Sequence, residues 1–228
     1  GAYNAYGIDG PANIRLTLEY CVDGRLMFGI GRSSYEKLID GFVKYKLLRQ
    51  TDDNSMPFTL TLFGGAYYNQ LKGLVSVDGT KKYNTFTDRM TYVSEVLLGR
   101  KFSPSFSLQL SGAYVHTNMV DKHVDPNDQF AVGGLFRLKL TKRQAITVEY
   151  FYVLNKLKSI TTYDSFGIGY EIETGGHVFH MTFTNATGIV ENYFIPNTTD
   201  NWAKGGYKFG FNISRVFNYN GSKVHKEK

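Results

Sequence analysis

Apolar and polar residues alternate along most of this chain, and this period of two is the feature that most constrains its fold. In residues 205–217, GGYKFGFNISRVF, large apolar side chains occupy every second position, with Lys, Gly, Asn and Ser between them. Such alternation predicts β-strands with one apolar face, whereas the spacing typical of helices is nearly absent. We therefore expect an all-β protein.

The pattern recurs in eleven stretches of roughly 8 to 12 residues, close to the length that a tilted strand needs to cross a bilayer. Counted back from the C-terminus, the connections between them alternate in length. Membrane β-barrels have short turns on one rim and longer loops on the other. The longer connections cover 185–203, 155–162 and 117–127, and the short ones cover 174–176, 141–144 and 102–105.

The strands of a soluble β-sandwich also alternate apolar and polar residues, because one face of each sheet packs on the core. Here, however, the polar side of each strand is rich in Gly, Ser and Thr with mixed charges, and the aromatic residues gather towards strand ends, as in the interior and the girdles of a membrane barrel. No run approaches the roughly 18 apolar residues of a spanning helix. We predict a transmembrane antiparallel up-and-down β-barrel.

Barrels of this kind normally have an even number of strands. With about eleven strands recognisable, we expect twelve in the intact protein, the further one lying upstream of Gly1 or formed from AYNAYGID. The barrel domain is expected to cover residues 1–218, with 1–12 as an N-terminal loop or partial strand. Residues 219–228 are expected to form a basic flexible tail.

The composition narrows the range of functions. The net charge of +6 is spread along the chain rather than gathered in one patch, so nucleic acid is not an expected partner. Cys21 is the single cysteine, which excludes an intrachain disulfide and a thiolate metal cluster. No cofactor is expected.

Four stretches carry a family resemblance: ANIRLTLEY, GIGRSSYEKLIDGFVKYKLLRQ, FGIGYEIETGGHVFHMTFTNA and KFGFNISRVF. They resemble an uncharacterised family of outer-membrane β-barrel proteins from Bacteroidota, and the similarity covers nearly the whole chain. The resemblance implies the fold, a location in the outer membrane and a strand preceding Gly1, and it implies no catalytic residue. It also hints at lipid-linked or electron-transfer partners.

Charged residues on the slender side of the strands are predicted to face the lumen. Six cations nearly balance five anions, so they are expected to pair and fill the lumen, because buried charges are tolerated chiefly in pairs. The alternative is a narrow channel in which the same residues set ion selectivity. The eleven charged residues predicted to face the lumen are Arg15, Glu19, Asp40, Lys44, Lys46, Glu95, Arg137, Lys139, Glu149, Glu171 and Lys208.

The bulky side of each strand is predicted to face lipid, because outer-membrane barrels carry an apolar band on the outside. The residues chosen to represent it are Phe28, Tyr45, Leu60, Leu108, Phe136, Val148, Ile168, Phe179, Phe209 and Phe211.

Evidence for a chemical site is weak. His116, Asp121 and His123 have side chains suited to a divalent metal, but their spacing matches no closed site, and a solvated loop is the preferred interpretation. Ser111 with His116, or Asp164 with Ser165, could stand as a nucleophile with its base. Neither pair has a third orienting group that the sequence identifies, so no catalytic residue is assigned.

The sequence favours a non-catalytic outer-membrane barrel of a Gram-negative bacterium, acting as a scaffold or accessory subunit with a largely filled lumen. The alternatives are a narrow channel for ions or small solutes and a lipid-modifying enzyme. Its expected partners are outer-membrane lipid and other outer-membrane or periplasmic proteins. The amphipathic last strand ends in Phe217 and resembles an outer-membrane assembly signal, which predicts a periplasmic C-terminus.

Overall fold

A computed structural model describes residues 12–71, 85–120 and 123–217 of the chain. These residues form eleven β-strands in one sheet. The strands are β1 (Arg15–Cys21), β2 (Leu26–Ser33), β3 (Leu38–Leu48), β4 (Thr59–Asn69), β5 (Met90–Lys101), β6 (Phe106–Thr117), β7 (Asp128–Lys139), β8 (Gln144–Val153), β9 (Ser165–Glu173), β10 (His177–Thr184) and β11 (Lys208–Arg215).

Every strand pairs antiparallel with its neighbour in sequence, from β1 to β11. The predicted all-β, antiparallel, up-and-down arrangement is therefore confirmed. Within the ranges that the structure describes, no ladder joins β1 to β11. The expected strand from AYNAYGID, all but the last residue of the expected N-terminal loop (1–12) and the expected C-terminal tail (219–228) lie outside the described part of the chain.

The five connections after odd-numbered strands lie at one end of the sheet, which we call the turn rim. Two of its turns place a glycine at positive φ, Gly24 at 77° and Gly175 at 79°, a conformation that glycine adopts without steric cost. The Asp23 carboxylate accepts hydrogen bonds from the backbone N–H groups of Arg25 and Leu26, at 2.9 and 2.8 Å. The Asp23-Gly24 dipeptide thus forms a tight link between β1 and β2.

The connections after even-numbered strands lie at the opposite end, the loop rim. Three of them contain a single turn of 3-10 helix, at Tyr35–Lys37, Thr87–Arg89 and Trp202–Lys204. Residues 185–207, which join β10 to β11, also contain a four-residue helix, α1 (Glu191–Phe194). No helix in the described ranges is long and apolar enough to span a membrane.

The register divides the strands into two faces. One face carries buried residues at alternate positions, for example Phe63 and Tyr67 on β4 and Val93 on β5, and we call it the inward face. The other face carries large exposed apolar residues, for example Phe211 at 57% and Ile30 at 64% exposure. The residues that alternate in the sequence therefore lie on two chemically distinct surfaces of the sheet.

Residues 185–207 lie against the inward face rather than extending away from the rim. Val190 and Ile195 are buried in one cluster with inward residues of β3 to β8. Phe194 packs against Phe151 of β8 with ring centroids 5.4 Å apart. Because α1 touches both β5 and β8, the sheet must curve around this segment, which we call the inserted segment.

Candidate functional site

A group of charged and polar side chains lies next to the inserted segment, on the inward positions of five strands. Its first element is an ion pair between Arg15 on β1 and Asp40 on β3. Two guanidinium nitrogens contact the two carboxylate oxygens at 2.5 and 2.7 Å. Asp40 is only 3% exposed. This two-bond geometry is the strongest form of an arginine–carboxylate contact, so the pair fixes the first strand to the third.

Tyr67 on β4 connects this pair to the inserted segment. It lies directly opposite Asp40 in the ladder, and it is 1% exposed. Its hydroxyl donates a hydrogen bond of 2.8 Å to Oε2 of Glu191 at the start of α1. A buried phenol needs a hydrogen-bond partner, and the inserted segment provides it.

Two further carboxylates face the same space from the wall. Glu95 on β5 lies between Phe63 of β4 and Ala113 of β6 in the ladders and is 7% exposed. Its Oε1 atom has no hydrogen-bond partner among the described residues. Glu95 lies within electrostatic range of Glu191 and of Glu149 on β8. Three carboxylates therefore share one part of the interior.

Lys44 on β3 is the cation that acts on Glu95. Its Nζ lies 5.0 Å from the ring centroid of Phe42 and 5.9 Å from that of Phe63. Both distances allow cation–π attraction. The ammonium group therefore lies near two aromatic rings and within electrostatic range of Glu95.

The inserted segment contacts the rest of the barrel at its start and at α1. Asn185 donates to the backbone oxygens of Asp164 and Asp200, at 2.9 and 3.0 Å, and accepts from the Phe166 N–H at 2.9 Å. Near α1, the Tyr193 ring packs edge-on against Tyr35, with centroids 5.1 Å apart. These contacts indicate a defined position for the segment.

The contact between Asn13 and Thr187 spans the two ends of the sheet. Asn13 Nδ2 donates to the Thr187 carbonyl at 3.2 Å. Asn13 precedes β1, and Thr187 follows β10, so the first strand lies near the last hairpin. This proximity is what a sheet curled into a barrel produces.

The register places all eleven predicted lumen residues at inward positions. Besides the network above, Arg137 pairs with Glu171 at 2.7 Å, and Lys208 forms an ion pair with Asp200. Nearer the turn rim, Glu19 and Lys46 are exposed. Lys139 is the remaining member and lies at the turn-rim end of β7.

The ten residues predicted to face lipid all occupy the opposite, outward face. Phe209 is 40% and Phe211 57% exposed, and Phe179 stacks on Phe211 with centroids 6.3 Å apart. Phe136 packs against Phe106 on the same face. The aromatic residues thus form contacts along the outer surface rather than between two sheets.

His116 also lies on the outward face, at the loop rim, whereas Ser111 faces inward on the same strand. The Nδ1 atom of His116 and Oδ1 of Asp128 are 2.5 Å apart, and the Tyr114 hydroxyl donates to the same oxygen at 2.6 Å. Asp121 falls outside the described residues. Across the described ranges, no group of three or more His, Cys, Asp or Glu residues is arranged to hold a metal ion.

A family model described as "Membrane bound beta barrel domain (DUF5777)" matches residues 1–217. The chain belongs to this family. It is therefore a membrane-bound β-barrel domain, as the alternation and the chain-order sheet had indicated. No curated protein matches the sequence.

The sequence analysis did not predict that the β10–β11 connection of this β-barrel domain enters the interior. The signal was present in GIVENYFIP, where Ile189, Val190, Tyr193 and Phe194 recur with helical spacing around Glu191. A loop with such an apolar face needs a surface to cover it. The sequence analysis also did not identify Tyr67 as the partner of Glu191, because the sequence does not distinguish an inward tyrosine that binds a loop from any other aromatic residue of a strand.

Proposed function

We propose that this β-barrel domain is a non-catalytic outer-membrane protein with a filled, non-conducting interior, serving as a scaffold or accessory subunit of a membrane complex. The observation that carries the proposal is the position of the inserted segment. Val190 and Ile195, 4% and 1% exposed, pack against inward residues of the wall at the loop rim.

The size and charges of the interior support a closed barrel. A barrel of about a dozen strands leaves a bore little wider than its own side chains. Inward charges form pairs, as Arg15 does with Asp40 and Arg137 with Glu171. Paired side chains neutralise one another and leave less room for a hydrated ion to pass.

The proposed location is the outer membrane of a Gram-negative bacterium, with the turn rim and the C-terminus in the periplasm. Supporting this orientation, most of the longer connections lie at the other rim, as they do on the extracellular side of outer-membrane barrels. The final strand exposes Phe209 and Phe211, and it ends at Arg215 rather than at Phe217, which is also exposed. Outer-membrane lipid would contact this face, leaving the rims for protein partners.

Single-channel recording in planar bilayers tests the filled interior. The wild-type protein is expected to show no steady conductance, because the inserted segment closes the loop rim. Replacing residues 187–204 by a short Gly-Ser linker is expected to produce a steady conductance. Steady conductance of the wild-type protein would overturn the filled interior and establish the narrow channel instead.

The non-catalytic part of the proposal is tested by lipid analysis. His116 with Asp128 is the arrangement nearest to a general base on the outward face. Membranes containing the wild-type protein and the variants His116→Ala and His123→Ala are expected to have the same lipid species. A lipid product that appears with the wild type and is lost with His116→Ala would establish the enzyme instead.

A further inference from the structure

Two arginines occupy equivalent places on the outward face at the turn rim. Arg100 is the final outward residue of β5, opposite Leu108, and Arg215 is the final residue of β11, opposite His177. Both are exposed. Within the described ranges, neither arginine belongs to an ion pair. The apolar outer surface therefore ends, at this rim, in two positive charges without a described counter-charge.

Each arginine lies over the ring of a phenylalanine two residues further along the chain. The Cζ atom of Arg100 is 5.0 Å from the ring centroid of Phe102, and that of Arg215 is 4.7 Å from the centroid of Phe217. These distances allow cation–π attraction. The two rings are 53% and 74% exposed. An exposed ring beside a cation suits the membrane–water interface, where apolar and charged groups meet.

The loop rim has the opposite chemistry on the same outward face. There the hydroxyl of Tyr114 donates to a carboxylate oxygen of Asp128 at 2.6 Å, and that of Tyr150 donates to Asp164 at 3.0 Å. Lys156 also lies at this rim, but it forms an ion pair with Asp164 at 2.8 Å. Uncompensated arginines thus border the outward face at one rim, whereas tyrosines bound to carboxylates border it at the other.

The separation of the two borders matches a membrane. Arg100 follows Tyr92, the outward tyrosine at the loop-rim end of β5, by eight residues. At about 3.4 Å per residue this is about 27 Å along the strand, or about 20 Å along the membrane normal for a strand tilted by about 40°. The apolar band of outer-membrane barrels is about 25 Å tall. The arginines therefore lie at the level expected for lipid headgroups.

We propose that Arg100 and Arg215 bind the phosphate groups of anionic glycerophospholipids in the leaflet next to the turn rim. A guanidinium group can donate two parallel hydrogen bonds to a phosphate, and its positive charge complements the net negative charge of such a lipid. A zwitterionic lipid carries its own cation beside the phosphate and gains less. The inference rests on the membrane location in the proposed function, but not on the filled interior or the scaffold role.

Fluorescence quenching by brominated lipid measures headgroup preference next to a chosen tryptophan. Trp202 is the single tryptophan of the chain, and Trp202→Phe supplies a background that keeps an aromatic ring against Phe166 and Tyr207. The reporter is Phe102→Trp, which retains a ring for Arg100. In phosphatidylcholine vesicles we expect brominated phosphatidylglycerol to bind beside it about fivefold more strongly than brominated phosphatidylcholine.

Variants assign this preference to the arginine. Arg100→Gln, added to the Phe102→Trp reporter, is expected to reduce the preference to about one, and Arg100→Lys, which keeps the charge, should retain part of it. The matched control is a reporter at the other border of the same strand, Tyr92→Trp, where we expect no preference. Phe217→Trp with Arg215→Gln repeats the measurement on β11.

Three results would overturn the proposal. The first is equal binding of the two lipids beside Phe102→Trp. The second is an equal preference at Tyr92→Trp, which would indicate attraction by the net charge of the chain. The third is a preference that survives Arg100→Gln, which would assign it to other turn-rim cations such as Lys101 and leave the arginines to an acidic protein partner.

A different result would contradict the membrane location itself. If neither brominated lipid quenched the Phe102→Trp or the Tyr92→Trp reporter, the outward face would not lie in lipid, and both the location and the lipid site would be wrong. Equal quenching by the two lipids would overturn the lipid site alone. The headgroup preference and the proposed location can therefore fail separately.

Discussion

The hydroxyl of Tyr67 on β4 lies 2.8 Å from Oε2 of Glu191, a residue 124 positions further along the chain. This hydrogen bond joins the wall of the barrel to the segment that enters it. Glu191 opens α1, and the residues that follow it pack on β5 and β8. The connection between β10 and β11 is therefore part of the folded interior.

Tyr67→Phe should destabilise the protein by about 1–3 kcal/mol, because the Glu191 carboxylate loses its donor within a buried site. The free energy of unfolding in detergent micelles, from a urea titration, measures the effect. Tyr20→Phe is the matched control, since Tyr20 lies on the outward face of β1 and is 66% exposed. Equal stability of the two variants would show that the hydrogen bond does not hold the segment.

Phe211→Arg should impair insertion into bilayers, at a cost of about 2–4 kcal/mol if the residue lies near the membrane midplane. The neighbouring change Asn212→Asp should be tolerated, because Asn212 points to the inward face of β11. Refolding into lipid vesicles over a urea series gives both free energies. Similar costs for the two variants would contradict the assignment of the faces.

Gly133→Ala should destabilise the interior by about 1–3 kcal/mol through overpacking. A methyl group on Gly133 would collide with the Ser111 hydroxyl and the Phe151 ring. Gly99→Ala is the control, since a methyl group there meets no atom within 4 Å. Thermal unfolding of both variants measures the difference, and a Gly133→Ala protein as stable as Gly99→Ala would mean that the Phe151 ring is free to move.

The contact between the β6–β7 connection and the β8–β9 connection should be sensitive to acid, because it depends on the carboxylate of Asp125. Its carboxylate accepts hydrogen bonds from the N–H groups of Lys158 and Ser159, at 2.8 and 2.9 Å. Burial opposes ionisation, but these bonds and that from the Ser159 hydroxyl outweigh it and lower the pKa of Asp125. Because the pKa of Asp125 is lower in the folded loop than in the unfolded chain, the ionised carboxylate stabilises the folded loop at pH values above the ordinary pKa of about 3.9. This stabilisation is lost as the pH falls through the lower pKa of the folded loop.

Hydrogen exchange at Lys158 and Ser159, corrected for its intrinsic pH dependence, should therefore accelerate below about pH 4. Asp125→Ala should show the faster exchange already at neutral pH. Asp52→Ala, in an exposed loop at the turn rim, serves as the control. Slow exchange in Asp125→Ala at neutral pH would show that other contacts hold the two loops together.

The strands and their faces could be predicted because each depends on neighbouring residues in the sequence. In a β-strand, side chains point alternately to the two sides of the sheet, so the alternation around Phe209 and Phe211 indicates that both lie on the apolar face. Chain-order pairing follows from the short connections, since antiparallel neighbours need only a tight turn such as Asp23-Gly24.

The interior could be predicted only in part. The list of inward charges follows from the same alternation, but their partners do not. Arg15 is bound by Asp40 and Arg137 by Glu171 because the curved sheet brings those strands to one side of the interior. The partner of an inward side chain depends on the register, on the curvature and on what else enters the space.

The sequence by itself determined the class of fold, the two faces of the strands and the order of the strands, because these are set by a local period and by short connections. Only the tertiary structure decided that Val190 and Ile195 of the inserted segment are buried against the wall and that Glu191 meets Tyr67. The Tyr67–Glu191 contact joins residues 124 positions apart, and the curvature of the sheet around the inserted segment selects it.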